Sequence, residues 1–373
     1  MSARSRRPFT EDQIIRLLAS RFATADALIE MGIGDDAAVF RSAGVRQRWV
    51  VTTDMLVENV DFRRDWVRAD EIGHKSLAAN LSDLAAMGAL PRFCTVALAL
   101  PPGIEKNWVM SFFRGLAALG RRHDTAVVGG DLSASPSGIL ICITALGAAT
   151  KRGILYRSGG MPGDLLCVTG TLGKAAAGLK LLFAGTRRSR KRWESLALAA
   201  LRTPEPRCAA GIWLARSGLV RCMMDLSDGL SADVPRLCRA SGTGAEIYAW
   251  CLPVFRECAE RGWDPYSLAL HGGEDFELLF AVRPQKLEVL KQRYPRGLPP
   301  LTVVGALTER GGVRIVKTPG SRPEPLPLEG FDHFRHPGDC ATRQARLPIP
   351  AHRGAARRIR HLAADTFGRI PAV

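Results

Sequence analysis

The chain has 373 residues, 46% of them hydrophobic and 7% aromatic, with a formal net charge of +16. That length exceeds what one hydrophobic core usually holds, so two domains are expected. No run of 18 apolar residues occurs, which excludes a transmembrane helix, and the basic start lacks the apolar stretch of a secretory signal.

Residues 1–9 read as a basic segment. A helix is expected over 10–30, where Thr10 can cap it and Ile14, Leu17 and Leu18 share a face. "GIGDDAAVF" is a glycine-punctuated turn entering a strand. Around 49–57 "VVTTDMLV" reads as a strand. Asp70 opens a long helix that Gly88 and Pro91 close. "FCTVALALP" is a strand, 105–121 a helix, and "DTAVVGGD" and "GILICITALGAA" are strands. This half ends near 148.

The second half gives a strand in "DLLCVTG", a helix over 173–185 and a loop over 186–192. A helix over 205–217 precedes the strand "LVRCMMD" and a helix reaching about 240. "GAEIYAW", "DFELLFAV" and "LTVVGALT" read as strands. The expected fold class is α+β, with halves at 10–148 and 149–334. Residues 335–373 read as a mobile basic tail, with a short helix expected over 355–366.

That tail carries eight Arg against two Asp, and 187–192 reads "RRSRKR". Solvated arginine accounts for this charge. A nucleic-acid surface would bring an aromatic-interleaved basic strand, a zinc finger or a helix-turn-helix, and none occurs. The nine Cys have no CxxC spacing and sit mostly in apolar runs, as Cys142 and Cys167 do. They read as reduced core thiols of a cytoplasmic protein.

Carboxylates recur where buried elements end. Asp35 and Asp36 are adjacent, which costs repulsion unless water or cations neutralise them. Asp54 interrupts a strand fit for burial, next to Thr52 and Thr53. Ser76, Asn80 and Asp83 fall at i, i+4 and i+7, a narrow polar stripe on an apolar helix, with Lys75 beside it. Asp131 follows two glycines in "VVGGD". Asp225 closes an apolar strand, and Ser227 or Asp228 can cap the helix that follows. Glu274 and Asp275 follow another Gly-Gly pair. Each feature alone also fits an ordinary turn, cap or solvated face. Together they suit hard cations such as Mg²⁺, shared with phosphates. No Walker motif, kinase signature or His cluster is present.

The segments "GIGDDAAVF", "VVTTDMLVENVDF", "HKSLAANLSDLAAMGALP", "VVGGD", "RSGGMPGD", "MDLSDGLSAD", "GGEDFELLF" and "GFDHF" resemble, in order and spacing, those of the thiamine-monophosphate kinases. These enzymes lie within the aminoimidazole ribonucleotide synthetase superfamily. The resemblance covers about 10–334. It implies direct, ATP-dependent phosphorylation of thiamine monophosphate to thiamine diphosphate, several Mg²⁺ ions, a homodimer and no membrane partner. By motif, Asp36, Thr52, Thr53, Asp54, Asp83, Asp131, Asp225 and Asp228 would bind Mg²⁺, with Asp54, Asp83 and Asp228 central to catalysis. Gly130, Asp131, Arg157 and Ser227 would contact ATP. Asp61, Glu274 and Phe331 would contact the acceptor, although some relatives carry His where this chain has Asp61. The alternatives are another small-molecule kinase or synthetase of the superfamily, or a basic nucleic-acid-associated protein on an inactive kinase fold.

Overall fold

The computed structural model describes residues 10–22, 26–42, 47–150, 153–309, 311–331 and 333. The expected basic segment 1–9 and the expected tail 335–373, with its short helix over 355–366, lie outside the described residues.

Helix α1 (Glu11–Phe22) leads into a six-stranded sheet. Its strands are β1 (Ile29–Met31), β2 (Ala38–Arg41), β3 (Arg48–Val57), β4 (Leu90–Leu100), β5 (Ala126–Ala134) and β6 (Leu140–Ala148), in the order β1-β2-β3-β6-β4-β5. Two helices, α2 (Ala69–Ala86) and α3 (Lys106–Arg122), belong to this half. They pack tightly because each has a glycine at the crossing. A Cβ on Gly73 would lie 2.0 Å from the Phe112 carbonyl oxygen, and one on Gly115 would lie 1.8 Å from that of Asp70. The N-terminus of α2 is fixed by Glu71, whose carboxylate accepts the Arg68 N–H at 2.9 Å.

The second sheet has seven strands in the order β13-β12-β9-β11-β7-β10-β8. In chain order this half runs β7 (Leu165–Thr169), α4 (Lys174–Phe183), α5 (Arg192–Arg202), α6 (Cys208–Ser217), β8 (Val220–Leu226), α7 (Leu230–Ser241), β9 (Gly244–Tyr248), α8 (Pro265–His271), β10 (Glu277–Val282), α9 (Pro284–Arg293), β11 (Leu301–Thr308), β12 (Val313–Val316) and β13 (Glu324–Pro325). The largest core cluster joins the halves. Leu77, Leu81 and Leu84 of α2 share it with Cys208, Met223, Leu278 and Phe280. Helix α2 therefore lies between the two sheets, and both of its long sides are interior.

Several expectations change. The helix over 10–30 stops at Phe22, because Ile29–Met31 pairs with β2 instead. Helices α5, α8 and α9 and strands β12 and β13 are additions. The Ser76–Asn80 stripe does not face solvent; both residues are fully buried, and their polar groups turn onto the helix backbone at 2.8 and 3.1 Å. No helix among the described residues is long and apolar enough to cross a membrane.

Candidate active site

Strand alternation sorts β3. Val50, Thr52 and Leu56 are buried on the face toward α2, while Thr53 and Met55 are exposed on the other. Thr52 Oγ1 donates to the Asp83 carboxylate of α2. One turn of that helix also presents Ser82, whose hydroxyl donates to Asp225 Oδ2 at 2.6 Å. Asp225 stands near the end of β8, so the two "LSD" segments meet here. One carboxylate oxygen each from Asp36, Asp83 and Asp225 fall within 4.8 Å of one another.

Protein donors satisfy only part of this cluster. Arg157 places Nε and Nη2 at 3.0 and 2.5 Å from Asp36 Oδ1, and its N–H reaches Asp35 Oδ2 at 3.1 Å. Asp36 Oδ2 and Asp54 Oδ2 are buried without a partner. Asn80 Oδ1 is another such atom. Burial, reinforced by neighbouring carboxylates, pushes Asp35 and Asp225 up to about 7 and Asp54 up to about 6. Burial likewise holds Asp83 well above the ordinary carboxylate range, with Asp54, Asp225 and Asp36 adding to it. Several acids thus crowd one site with too few cations to neutralise them. An oxygen-rich set of this kind, with unpartnered atoms, fits a hard divalent cation.

Asp228 lies beside Asp54, and its carboxylate pairs with Arg236. Neither Ser227 nor Asp228 caps α7; the N-cap is Gly229 and no side chain caps it. Asp233, in the first turn of α7, is fully buried. It accepts the Asp228 N–H at 3.1 Å and an Arg236 N–H at 2.8 Å, bracing the "SDG" turn. Ser231 is also fully buried, with its hydroxyl 2.9 Å from His271 Nδ1. Ser227 contributes its carbonyl, which accepts the Glu274 N–H at 2.7 Å.

The three acceptor-side residues gather near the same turn. The Asp228 carbonyl accepts the Phe331 N–H at 3.0 Å, and the Phe331 side chain is exposed. Asp61 Oδ2 accepts the Val57 N–H at 2.8 Å, so part of that carboxylate holds its own turn. Glu274 pairs with Lys75 at 2.6 Å. Sequence reasoning noted Lys75 only as a neighbour of the stripe. The available signal was the composition of α2: so many small and apolar residues leave no solvent face to receive a lysine.

Three expected site residues are not brought to the acid cluster. The Thr53 hydroxyl turns to the opposite face and meets Thr144 Oγ1 at 2.9 Å. Gly130 and Asp131 lie on edge strand β5, three strands from β3 and exposed throughout. Gly130 has a packing role of its own, since a Cβ there would lie 1.9 Å from the Val96 carbonyl oxygen.

The same segments are matched by two family models. Residues 34–149 match AIR synthase related protein, N-terminal domain, and residues 161–317 match AIR synthase related protein, C-terminal domain. Thiamine-monophosphate kinase of Synechococcus elongatus is 38% identical over 310 residues, 81% of this chain and 91% of that one. That of Bacillus subtilis is 31% identical over 309 residues, 82% of this chain and 94% of that one. The chain belongs to the thiamine-monophosphate kinase family. Its two-domain α+β fold agrees with a solved structure of that family, AaThiL complexed with AMPPCP and TMP. The TM-score is 0.75 at 30% identity, covering 87% of this chain and 97% of that one. The acid cluster of this chain stands where the N-terminal sheet, α2 and the C-terminal sheet converge.

Proposed function

We infer that this chain transfers the γ-phosphoryl group of ATP to the phosphate of thiamine monophosphate, giving thiamine diphosphate and ADP. Beyond family membership, one observation carries the reading: a convergence of buried and half-buried carboxylates from both halves, two of them with buried oxygens that lack a partner. Asp36, Thr52, Asp54, Asp83, Asp225 and Asp228 are the residues we assign to hold Mg²⁺. Mg²⁺ bound there supplies the positive charge that lets two phosphate chains approach each other.

The chain's own residues then position the reactants. Arg157 adds a permanent cation at the Asp36 end of the cluster. Ser227 and Asp228 form a turn fixed by Asp233, which holds that side of the site in one shape. Glu274, Asp61 and Phe331 are assigned to the acceptor, with the exposed Phe331 ring offered for stacking.

The reading includes a homodimer. Helix α2 covers one face of the first sheet, while the other presents Met55, Phe93 and Thr53, all exposed. Among the described strands, β5 stands at the edge of this sheet and carries the exposed Val127, Val128 and Leu132. A bare apolar sheet face with a free edge is an association surface. Gly130, Asp131 and Thr53 would then serve a nucleotide bound at the junction of two subunits. A cytoplasmic location accords with the free state of the eight described cysteines.

The test is direct. Purified protein with ATP and Mg²⁺ is expected to convert thiamine monophosphate to thiamine diphosphate and to leave free thiamine unphosphorylated. Folded protein that forms no thiamine diphosphate contradicts the assignment.

A further inference from the structure

We propose that Lys75 is a positioning residue for the acceptor, holding the Glu274 carboxylate and the Asp61 turn as one unit. This deepens the kinase reading above and rests on it.

Lys75 is only 5% exposed. An ammonium group in such a place carries a desolvation cost of several kcal/mol unless it is paired and hydrogen-bonded. Its Nζ lies 2.6 Å from Glu274 Oε1, 2.8 Å from Glu274 Oε2 and 3.2 Å from the Asp61 carbonyl oxygen. An ammonium group has three N–H donors, and these contacts can engage them all. Its tip is therefore fixed in place.

Glu274 is held from its backbone as well. It adopts φ +65°, a left-handed conformation that a non-glycine residue adopts only where its surroundings enforce it. Phe276, two residues on, adopts φ +47°. The Glu274 N–H bonds to the Ser227 carbonyl, one residue before Asp228. Asp61, at the other end of the lysine's reach, lies close enough to Asp54 to raise its pKa. Lys75 thus joins two residues that each border the acid cluster, one from each half of the chain. The Glu274 side chain keeps 31% of its surface open. A carboxylate fixed by a buried lysine, and still open on one side, is an oriented hydrogen-bond acceptor. It suits an acceptor substrate with amino or cationic ring groups.

A role confined to stability would lower the melting temperature and disturb both substrates alike. A positioning role is selective. We expect Lys75→Met to raise KM for thiamine monophosphate at least about tenfold, with KM for ATP within about twofold. Lys75→Arg should restore part of the loss. Glu274→Gln, which leaves α2 unchanged, should give the same selective rise, and the double variant should be no worse than the more affected single. Unchanged KM for thiamine monophosphate in both single variants overturns the proposal. So do equal rises for both substrates, or losses that simply add. Wild-type protein without product overturns the kinase reading and this proposal together, whereas active wild type with indifferent variants overturns this proposal alone.

Discussion

Two charged regions lie side by side near the "SDG" turn. At Lys75 and Glu274, charge is balanced within the chain: a buried ammonium meets a carboxylate and a carbonyl. At Asp36, Asp54, Asp83 and Asp225 it is not. Burial, with neighbouring carboxylates adding to it, raises the pKa of Asp54, Asp83 and Asp225, Arg157 relieves one end, and two oxygens stay unpartnered. The contrast separates two uses of burial. A pair that neutralises itself can fix a geometry before any ligand arrives. A cluster that lacks its own counter-charge is neutralised only by protons or by cations that bind.

The contrast can be broken most forcibly by removing cations. Chelation of divalent metal should abolish thiamine diphosphate formation, a loss of at least about a thousandfold, because no protein group replaces that charge. Excess Mg²⁺ should restore it. Product formation that persists in chelator would break the comparison outright. Next in size, Asp54→Asn or Asp228→Asn should lower kcat at least about a hundredfold, the scale of losing one electrostatic stabiliser. Near wild-type turnover would remove those residues from the site.

Stability should move in opposite directions in the two regions. In metal-free protein, Asp225→Asn should raise the melting temperature by a few degrees, since it removes a charge from a crowded set while its oxygen still accepts from Ser82. Glu274→Gln should lower it by a similar amount, since it leaves the Lys75 ammonium without its counter-charge. Equal signs, read by calorimetry, would erase the distinction.

The smallest effect is in the pH profile. Asp35 and Asp225 at about 7, and Asp54 at about 6, bind protons more tightly folded than unfolded. Their contribution to stability is fully present in acid and is lost as pH rises through about 6 to 7. The metal-free melting temperature should therefore fall between pH 5 and 8. Mg²⁺ should recover it at pH 8 and scarcely at pH 5, because cations and protons compete for the same oxygens. Mg²⁺ stabilisation that is equal at both values would count against the cluster as the binding site.

Much of the fold was legible because β3, α2, β4 and β8 carry strong periodicity or long apolar runs. The short or polar elements were not. Helix α5 begins in the arginine-rich stretch that reads as a loop, and β13 is only two residues long. Strand β1 exists only because β2 is there to pair with it. The carboxylates at strand ends were visible one by one, yet their convergence depends on α2 lying between the sheets. Thr53 was open to correction from sequence, since consecutive strand residues face opposite ways and Thr52 had already claimed the inner face. Asp233 and Lys75 were hidden by context. Each looks like a common helix residue until the packing buries it.

The central claim is that the buried carboxylates form a cation site whose charge the protein leaves unbalanced. It is tested most directly by titrating Mg²⁺ into wild-type protein and Asp225→Asn at pH 8, with calorimetry reading both the heat of binding and the melting temperature. The account predicts a higher metal-free melting temperature in Asp225→Asn, together with weaker Mg²⁺ binding and a smaller Mg²⁺-induced rise. Identical Mg²⁺ affinity and an identical rise in the two proteins would contradict it.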